Sequence, residues 1–283
     1  MTDLLLTSPA ASASLAVLLG LLVGSFLNVV IHRLPIMLER DWARQAAEMR
    51  GETIPDQPTY NLMVPGSACP ACGHRITALE NIPVLSWLML RGRCSACASP
   101  IPMRYPLVEL VTALLSGLAV WHLGAGAAGI AALLLTWTLI ALTGIDLDTQ
   151  LLPDNLTLPL LWAGLAVNLA GVFVPLESAV IGAIAGYGSL WTVYWLFKLA
   201  TGKEGMGYGD FKLLGALGAW FGWQALPGMI LLSSLVGALV GIGLIVFARH
   251  GREVPIPFGP YLAGAGLLTL YFGKPIAAYL GLS

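Results

Sequence analysis

Eight stretches of the chain stay apolar for about the 20 residues that a membrane-crossing helix needs. They run over about 10 to 31, 105 to 123, 127 to 145, 156 to 174, 178 to 198, 211 to 225, 227 to 248 and 258 to 279. The sixth is short, so it is expected to tilt, to thin its surroundings, or to share an interruption at Pro227 with the seventh. The first is read as a true span and not a cleaved signal, because Asp3 is the only charge before His32 and no basic leading region precedes it. Polar residues concentrate in one place, positions 33 to 104, a region small for a core of its own without a staple. At its start, a helix from Ile36 to Arg50 would set Leu38, Trp42, Ala46 and Met49 on one side and Arg40, Arg44 and Glu48 on the other. That pattern fits a helix lying in the headgroup layer or an ordinary surface helix packed on the loop region.

Composition agrees with this pattern and sets its orientation. Of 283 residues 57% are hydrophobic and 10% charged, against about 25% charged in soluble domains, which excludes a soluble fold. A net charge of -1 leaves no basic surface for nucleic acid phosphates, so the partners lie in or beside the lipid bilayer. Thirteen of the 14 basic residues fall on one side of the spans: eight from Arg33 to Arg104, then Lys198, Lys203 and Lys212, then Arg249 and Arg252; only Lys274 dissents. Basic loops are retained in the cytoplasm. Loops 32 to 104, 146 to 155, 199 to 210 and 249 to 257 are therefore expected inside and both termini outside. The predicted fold is an all-α membrane protein of about eight transmembrane helices with a small zinc-bound cytoplasmic domain between the first two. Its expected divisions are a first transmembrane helix (1–32), a cytoplasmic zinc-binding domain (33–104) and a helical transmembrane domain (105–283).

The cysteines carry the clearest chemistry in that loop. Cys69 and Cys72 form one C-x-x-C pair and Cys94 and Cys97 another, 21 residues later, and these are all the cysteines present. In a reducing compartment four thiolates held tetrahedrally on zinc are the usual outcome, with redox-active or free thiols as the alternatives. Gly73, Pro70 and Pro100 suit tight knuckle turns. With every ligand position filled, the zinc would be structural.

Carboxylates at span ends are costly in lipid, so each needs a reason. Asp146 closes the third span and Asp210 opens the sixth, 64 residues on, which brings both to the same membrane boundary. Two carboxylates sharing a site do not both ionise cheaply; one keeps a proton while the other acts as base, a pair suited to hydrolysing a peptide bond. Gly207 and Gly209 allow close approach of an extended substrate. The plainer alternatives are a helix N-cap for Asp210 and a solvated helix end for Asp146. Among the remaining polar residues, Asp148 reads as solvated, Asp154 as a helix cap, Glu109 as a buried hydrogen-bond partner, Lys212 as a snorkelling anchor, and His32 and His74 as structural.

Taken together, these strings resemble a known family. Gly24-Ser25-Phe26-Leu27-Asn28-Val29-Val30-Ile31-His32-Arg33-Leu34-Pro35, the cysteine pairs around Glu80-Asn81-Ile82-Pro83-Val84, Arg104-Tyr105-Pro106-Leu107-Val108-Glu109, Asp146 with Leu152-Pro153-Asp154, and Gly205-Met206-Gly207-Tyr208-Gly209-Asp210-Phe211-Lys212 look like the bifunctional type IV prepilin leader peptidase/N-methyltransferases. The resemblance implies an inner-membrane aspartic peptidase of the Gly-x-Gly-Asp type, with Asp146 and Asp210 catalytic. Its substrates would be type IV prepilins and the pseudopilins of type II secretion, cut after a glycine at the cytoplasmic face. It also implies methylation of the new N-terminus with S-adenosylmethionine, and Gly92 matches a position associated with that activity, although Gly92 equally suits a turn into the second knuckle. No glycine-rich turn after a strand supports a Rossmann-like cofactor site. A rival of another class is a transporter relaying protons through boundary carboxylates with a metal-sensing loop; the absence of an inverted repeat and the large one-sided loop count against it.

Overall fold

A computed structural model of the chain describes residues 8–52, 58–247 and 256–279. Arg249 and Arg252, on which part of the orientation rests, and the side chain of Lys274 lie outside the described residues. The described residues are helical, with no strand and two isolated bridges. Five segments are long and apolar enough to cross a membrane: Pro9–Met49, Arg104–Leu123, Ala127–Thr149, Leu176–Thr201 and Trp223–Val246. The chain falls into two compact units that divide between Gly124 and Ala125.

The first unit is built on α1 (Pro9–Met49) and α3 (Arg104–Leu123), with the short α2 (Leu85–Met89) and the cysteine loop between them. α1 starts where Ser8 accepts the Ala11 N–H and Pro9 takes the first turn, a position where a missing N–H costs nothing. The first span and the Ile36 to Arg50 segment, read from the sequence as two elements, are one helix of 41 residues with Pro35 inside it. Proline there removes one hydrogen bond and crowds the carbonyl of Ile31. Burial of Ile31, Arg33, Leu34 and Pro35 in the packed unit offsets that cost. α1 and α3 approach closely through small residues: a methyl group on Gly20 would meet the Ala113 Cα at 2.7 Å, and one on Gly24 the Glu109 Cα at 2.7 Å. Between apolar helices in lipid, such close backbone contact is what favours association.

The second unit contains α4 (Ala127–Thr149), α5 (Asp154–Leu169), α6 (Leu176–Thr201), α7 (Tyr208–Phe221), α8 (Leu226–Phe247) and α9 (Gly259–Tyr279). α7 is its centre. Every residue from Asp210 to Trp220 except Lys212 is buried, and α5, α6 and α9 all pack on this helix. A helix apolar all round is a core helix. At 14 residues it is about 21 Å long, short of the ~30 Å hydrocarbon layer. α5, at 16 residues, is short as well. The break after α7 comes at Gly222, φ 77°, not at Pro227, which sits in the first turn of α8 where proline is tolerated. Asn168 ties this end together. Its amide donates to the carbonyls of Ala219 (2.8 Å) and Trp220 (3.0 Å), and its oxygen accepts the N–H groups of Phe173 and Val174, both at 3.1 Å. The last carbonyls of α7 are thereby satisfied without water.

Candidate active site and metal centre

Both aspartates lie in the second unit, and Leu152 packs beside the supports of each. Asp146 lies on the last turn of α4, 4% exposed, and Asp210 is the third residue of α7, 7% exposed. The cap of α7 is Gly207, whose carbonyl accepts the Asp210 N–H at 3.3 Å, so Asp210 is not the N-cap. Its carboxylate instead stands over the first turn, at the positive end of the helix dipole. Asp146 uses another helix start: its Oδ2 accepts the N–H of Gly259, first residue of α9, at 2.9 Å. Leu152 closes the space between the supports of the two aspartates. A methyl group on Gly209 would meet Leu152 Cβ at 2.7 Å, and one on Gly259 would meet Leu152 Cδ2 at 3.0 Å and Asp146 Oδ2 at 2.6 Å. Only glycine leaves room for the Asp146 carboxylate at 259. Sequence reading quoted Leu152 beside Asp146 without giving it a role and missed Gly259; the Gly259-Pro260 pair at the start of the last span was the available signal.

The loop before Asp210 is gripped by one face of α6. Lys198 Nζ donates to Glu204 Oε1 at 2.8 Å and to the Tyr194 hydroxyl at 3.2 Å, and the Phe197 ring packs under Gly205. The buried Tyr194 ring contacts Tyr208 and Phe211, centroids 5.3 and 5.6 Å away, the residues either side of the Gly209-Asp210 pair. Lys198 is the first cause holding the Glu204 carboxyl below its ordinary value. Lys212 pairs with Asp154 at 2.6 Å. Asp154 therefore does not play the part read from the sequence, since α5 begins after Pro153 with no side-chain cap, and Lys212 fastens α7 to the start of α5. Asp148 is exposed on the last turn of α4.

In the first unit, the four cysteines gather. All four Sγ atoms lie within 4.8 Å of one another, with Cys69 to Cys97 at 3.8 Å and Cys72 to Cys94 at 4.0 Å. Sulfurs around a tetrahedral zinc at about 2.3 Å stand about 3.8 Å apart, so the residues fit that ion. The two knuckles have one design. The first cysteine's carbonyl accepts an N–H from a residue with positive φ, Gly73 (73°) or Ala98 (58°), and its own N–H bonds to the carbonyl of His74 or Ser99, 2.9 Å in each. The Ala71 N–H is the first cause that lowers the Cys69 thiol to about 7, and the Cys97 N–H the first that lowers Cys94. Four sulfurs this close repel as thiolates, so a dication among them is what lets all four deprotonate. Glu80 stitches the knuckles together: it accepts from the Thr77 N–H and hydroxyl at 2.9 Å, from the Ser95 hydroxyl, and pairs with His74 at 3.2 Å. These bonds, Ser95 first, hold its carboxyl down to about 2. His74, read from the sequence as structural, has two partners, Glu80 and Ser95.

Gly92 ends the α2 turn with φ 66°, and a methyl group there would meet the Trp87 ring at 2.8 Å. Its N–H bonds the Trp87 carbonyl at 2.8 Å and its carbonyl accepts the Ile101 N–H at 2.7 Å. Glu109 is buried, 8% exposed, and accepts the Val84 N–H at 2.7 Å, the role expected of it.

Residues 18–123 match the bacterial peptidase A24 N-terminal domain, and residues 133–242 match the type IV leader peptidase family, one on each unit. The chain is 65% identical to a prepilin leader peptidase/N-methyltransferase of Aeromonas hydrophila over 94% of its own length and 92% of the relative's. It is 58% identical to one from Pseudomonas aeruginosa over 97% and 95%, and 57% identical to one from Stutzerimonas stutzeri over 98% and 96%. No solved structure matches it. With both domains matched in order and relatives this similar along nearly their whole length, the chain belongs to the type IV leader peptidase family.

Proposed function

We propose that this chain is a membrane enzyme that removes the leader of type IV prepilins and type II secretion pseudopilins and then methylates the new N-terminus. The observation that carries the peptidase reading is the pair of buried carboxylates, Asp146 and Asp210, each set at a helix start in one cluster. Relatives bearing the prepilin leader peptidase/N-methyltransferase name at 57–65% identity support both activities.

In this reading the aspartates share one proton across a water. The ionised carboxylate takes a proton from the water as its oxygen bonds to the scissile carbonyl carbon. The protonated partner gives its proton to the amide nitrogen as the carbon–nitrogen bond breaks. Such a pair titrates jointly, so acid and base are assigned to the dyad. The Gly259 N–H orients Asp146, and the Tyr194–Lys198 face of α6 steadies the loop that carries Asp210.

Cys69, Cys72, Cys94 and Cys97 would hold a structural zinc that staples residues 67–101. S-adenosylmethionine, when bound, supplies the methyl group; Gly92 would act in that step by shaping the turn under Trp87. The cytoplasmic zinc-binding domain is taken as 33–104, the first transmembrane helix as 1–32 and the peptidase domain as 105–283. α5, α7 and α9 complete eight passes with the five longer helices. The enzyme would sit in the bacterial inner membrane with its aspartates facing the cytoplasm, where Lys198, Lys203 and Lys212 flank the Gly-x-Gly-Asp loop.

Incubating the purified protein with a prepilin and S-adenosylmethionine, with both products read by mass, tests the reading. Cleaved and methylated pilin is expected. Processing that persists in the Asp146→Asn/Asp210→Asn protein would end the aspartate assignment.

A further inference from the structure

Outside the aspartate cluster, Glu109 is a buried carboxylate whose place is informative. α3 has 20 residues, about 30 Å at ~1.5 Å per residue, the thickness of the hydrocarbon layer. Arg104 therefore marks one border, and Glu109 lies about 7 Å inside it. α1 agrees in register: the Asn28 amide donates to the Tyr105 carbonyl at 3.1 Å near that border, and Gly24, one turn deeper, backs onto Glu109. Yet Glu109 holds the N–H of Val84, a residue of the cysteine-bearing segment. Val84 must then stand at a depth inside the membrane border.

The local backbone is built for that depth. Val84 has φ 59°, a conformation that a β-branched residue adopts only when its surroundings fix it. An unpaired N–H facing lipid is strongly disfavoured, and Glu109 removes it. The following N–H groups are paired within the turn: Ser86 to Ile82 at 3.0 Å, Leu88 to Val84 at 3.1 Å and Leu90 to Ser86 at 2.9 Å. The Trp87 indole donates to the Ile101 carbonyl at 3.1 Å. With these N–H groups paired, the segment turns apolar side chains outward: Leu85 and Leu88 are 58% exposed and Met89 81%. Arg91 and Arg93 follow, also exposed, at the spacing where long cations reach anionic headgroups.

We propose that residues 82–90 form a re-entrant apolar finger that dips into the cytoplasmic leaflet and contacts lipid, with Glu109 as the positioning residue that fixes its depth. This rests on reading α1 and α3 as membrane spans.

The test places a benzophenone amino acid at Leu88, and separately at Met89, in the full chain reconstituted in phosphatidylethanolamine/phosphatidylglycerol vesicles. Irradiation is expected to give phospholipid adducts at both positions and none at Ala96 in the second knuckle. Glu109→Gln, which keeps an acceptor for Val84, should retain the adducts; Glu109→Leu should lose them severalfold. Absence of lipid adducts at 88 and 89, equal adducts at 96, or capture of added prepilin in place of lipid would overturn the proposal. Prepilin cleavage by the same vesicles is measured alongside, so a failed peptidase reading and a failed lipid contact are told apart.

Discussion

The cysteine cluster and the aspartate cluster solve the same problem, holding like-charged ligands together, in opposite ways. The cysteines are at least partly exposed and lie on two four-residue knuckles, each shaped by bonds within six residues. The aspartates are buried and brought together by three helices, with one hydrogen bond spanning 113 positions. Four thiols on local, repeated turns are suited to completion by a cation; a site assembled from helix ends needs the whole unit packed around α7. The first would therefore be fragile to loss of an ion held there, and the second to anything that shifts a helix by an ångström.

That contrast can be broken at both ends. The largest effect is expected from Cys69→Ser or Cys94→Ser, or from chelation: zinc content falls below one per chain, and residues 67–101 become protease-sensitive while the helices of the second unit keep their far-UV signal. Next, Asp146→Asn or Asp210→Asn should lower cleavage by about 10²–10⁴-fold with zinc content unchanged. If either aspartate variant lost its zinc, the two regions would not be independent.

Smaller changes sharpen the comparison. Gly259→Ala puts a methyl group 2.6 Å from the Asp146 carboxylate and should cost about tenfold to a hundredfold in cleavage, the range for a misplaced catalytic group. Gly92→Ala demands a left-handed alanine, worth about 1–2 kcal/mol, and pushes on Trp87; methylation should fall in a mass assay while cleavage stays near wild type. Lys198→Ala should reduce kcat by only about threefold, because exposed ion pairs are weak, and a Lys198→Glu/Glu204→Lys exchange should restore part of it.

How far the sequence reached follows the same division. The C-x-x-C spacings identified the knuckles because their geometry is set within each four-residue turn. Asp146 and Asp210 were legible as costly charges at span ends, but nothing in their neighbourhoods named Gly259, and Leu152 stood in a string beside Asp146 without a packing role. Asp154 and Lys212 each read as ordinary helix-end residues, and only folding made them partners across 58 positions. Residues 10 to 31 and Ile36 to Arg50 read as two elements, yet α1 runs through Pro35 between them because the packed first unit outweighs one lost hydrogen bond. The short sixth stretch was visible as weak, while its role as the buried centre of a unit was not.

Hydropathy and basic-residue placement determined, by themselves, that this is a helical membrane protein with one sizeable loop, because lipid imposes those rules on each segment separately. Tertiary structure alone decided that Gly259 and Leu152 pack around Asp146, that only glycine leaves it room at 259, and why Glu109 is buried beneath Val84. Those facts depend on where distant segments cross, and packing of whole helices sets the crossing.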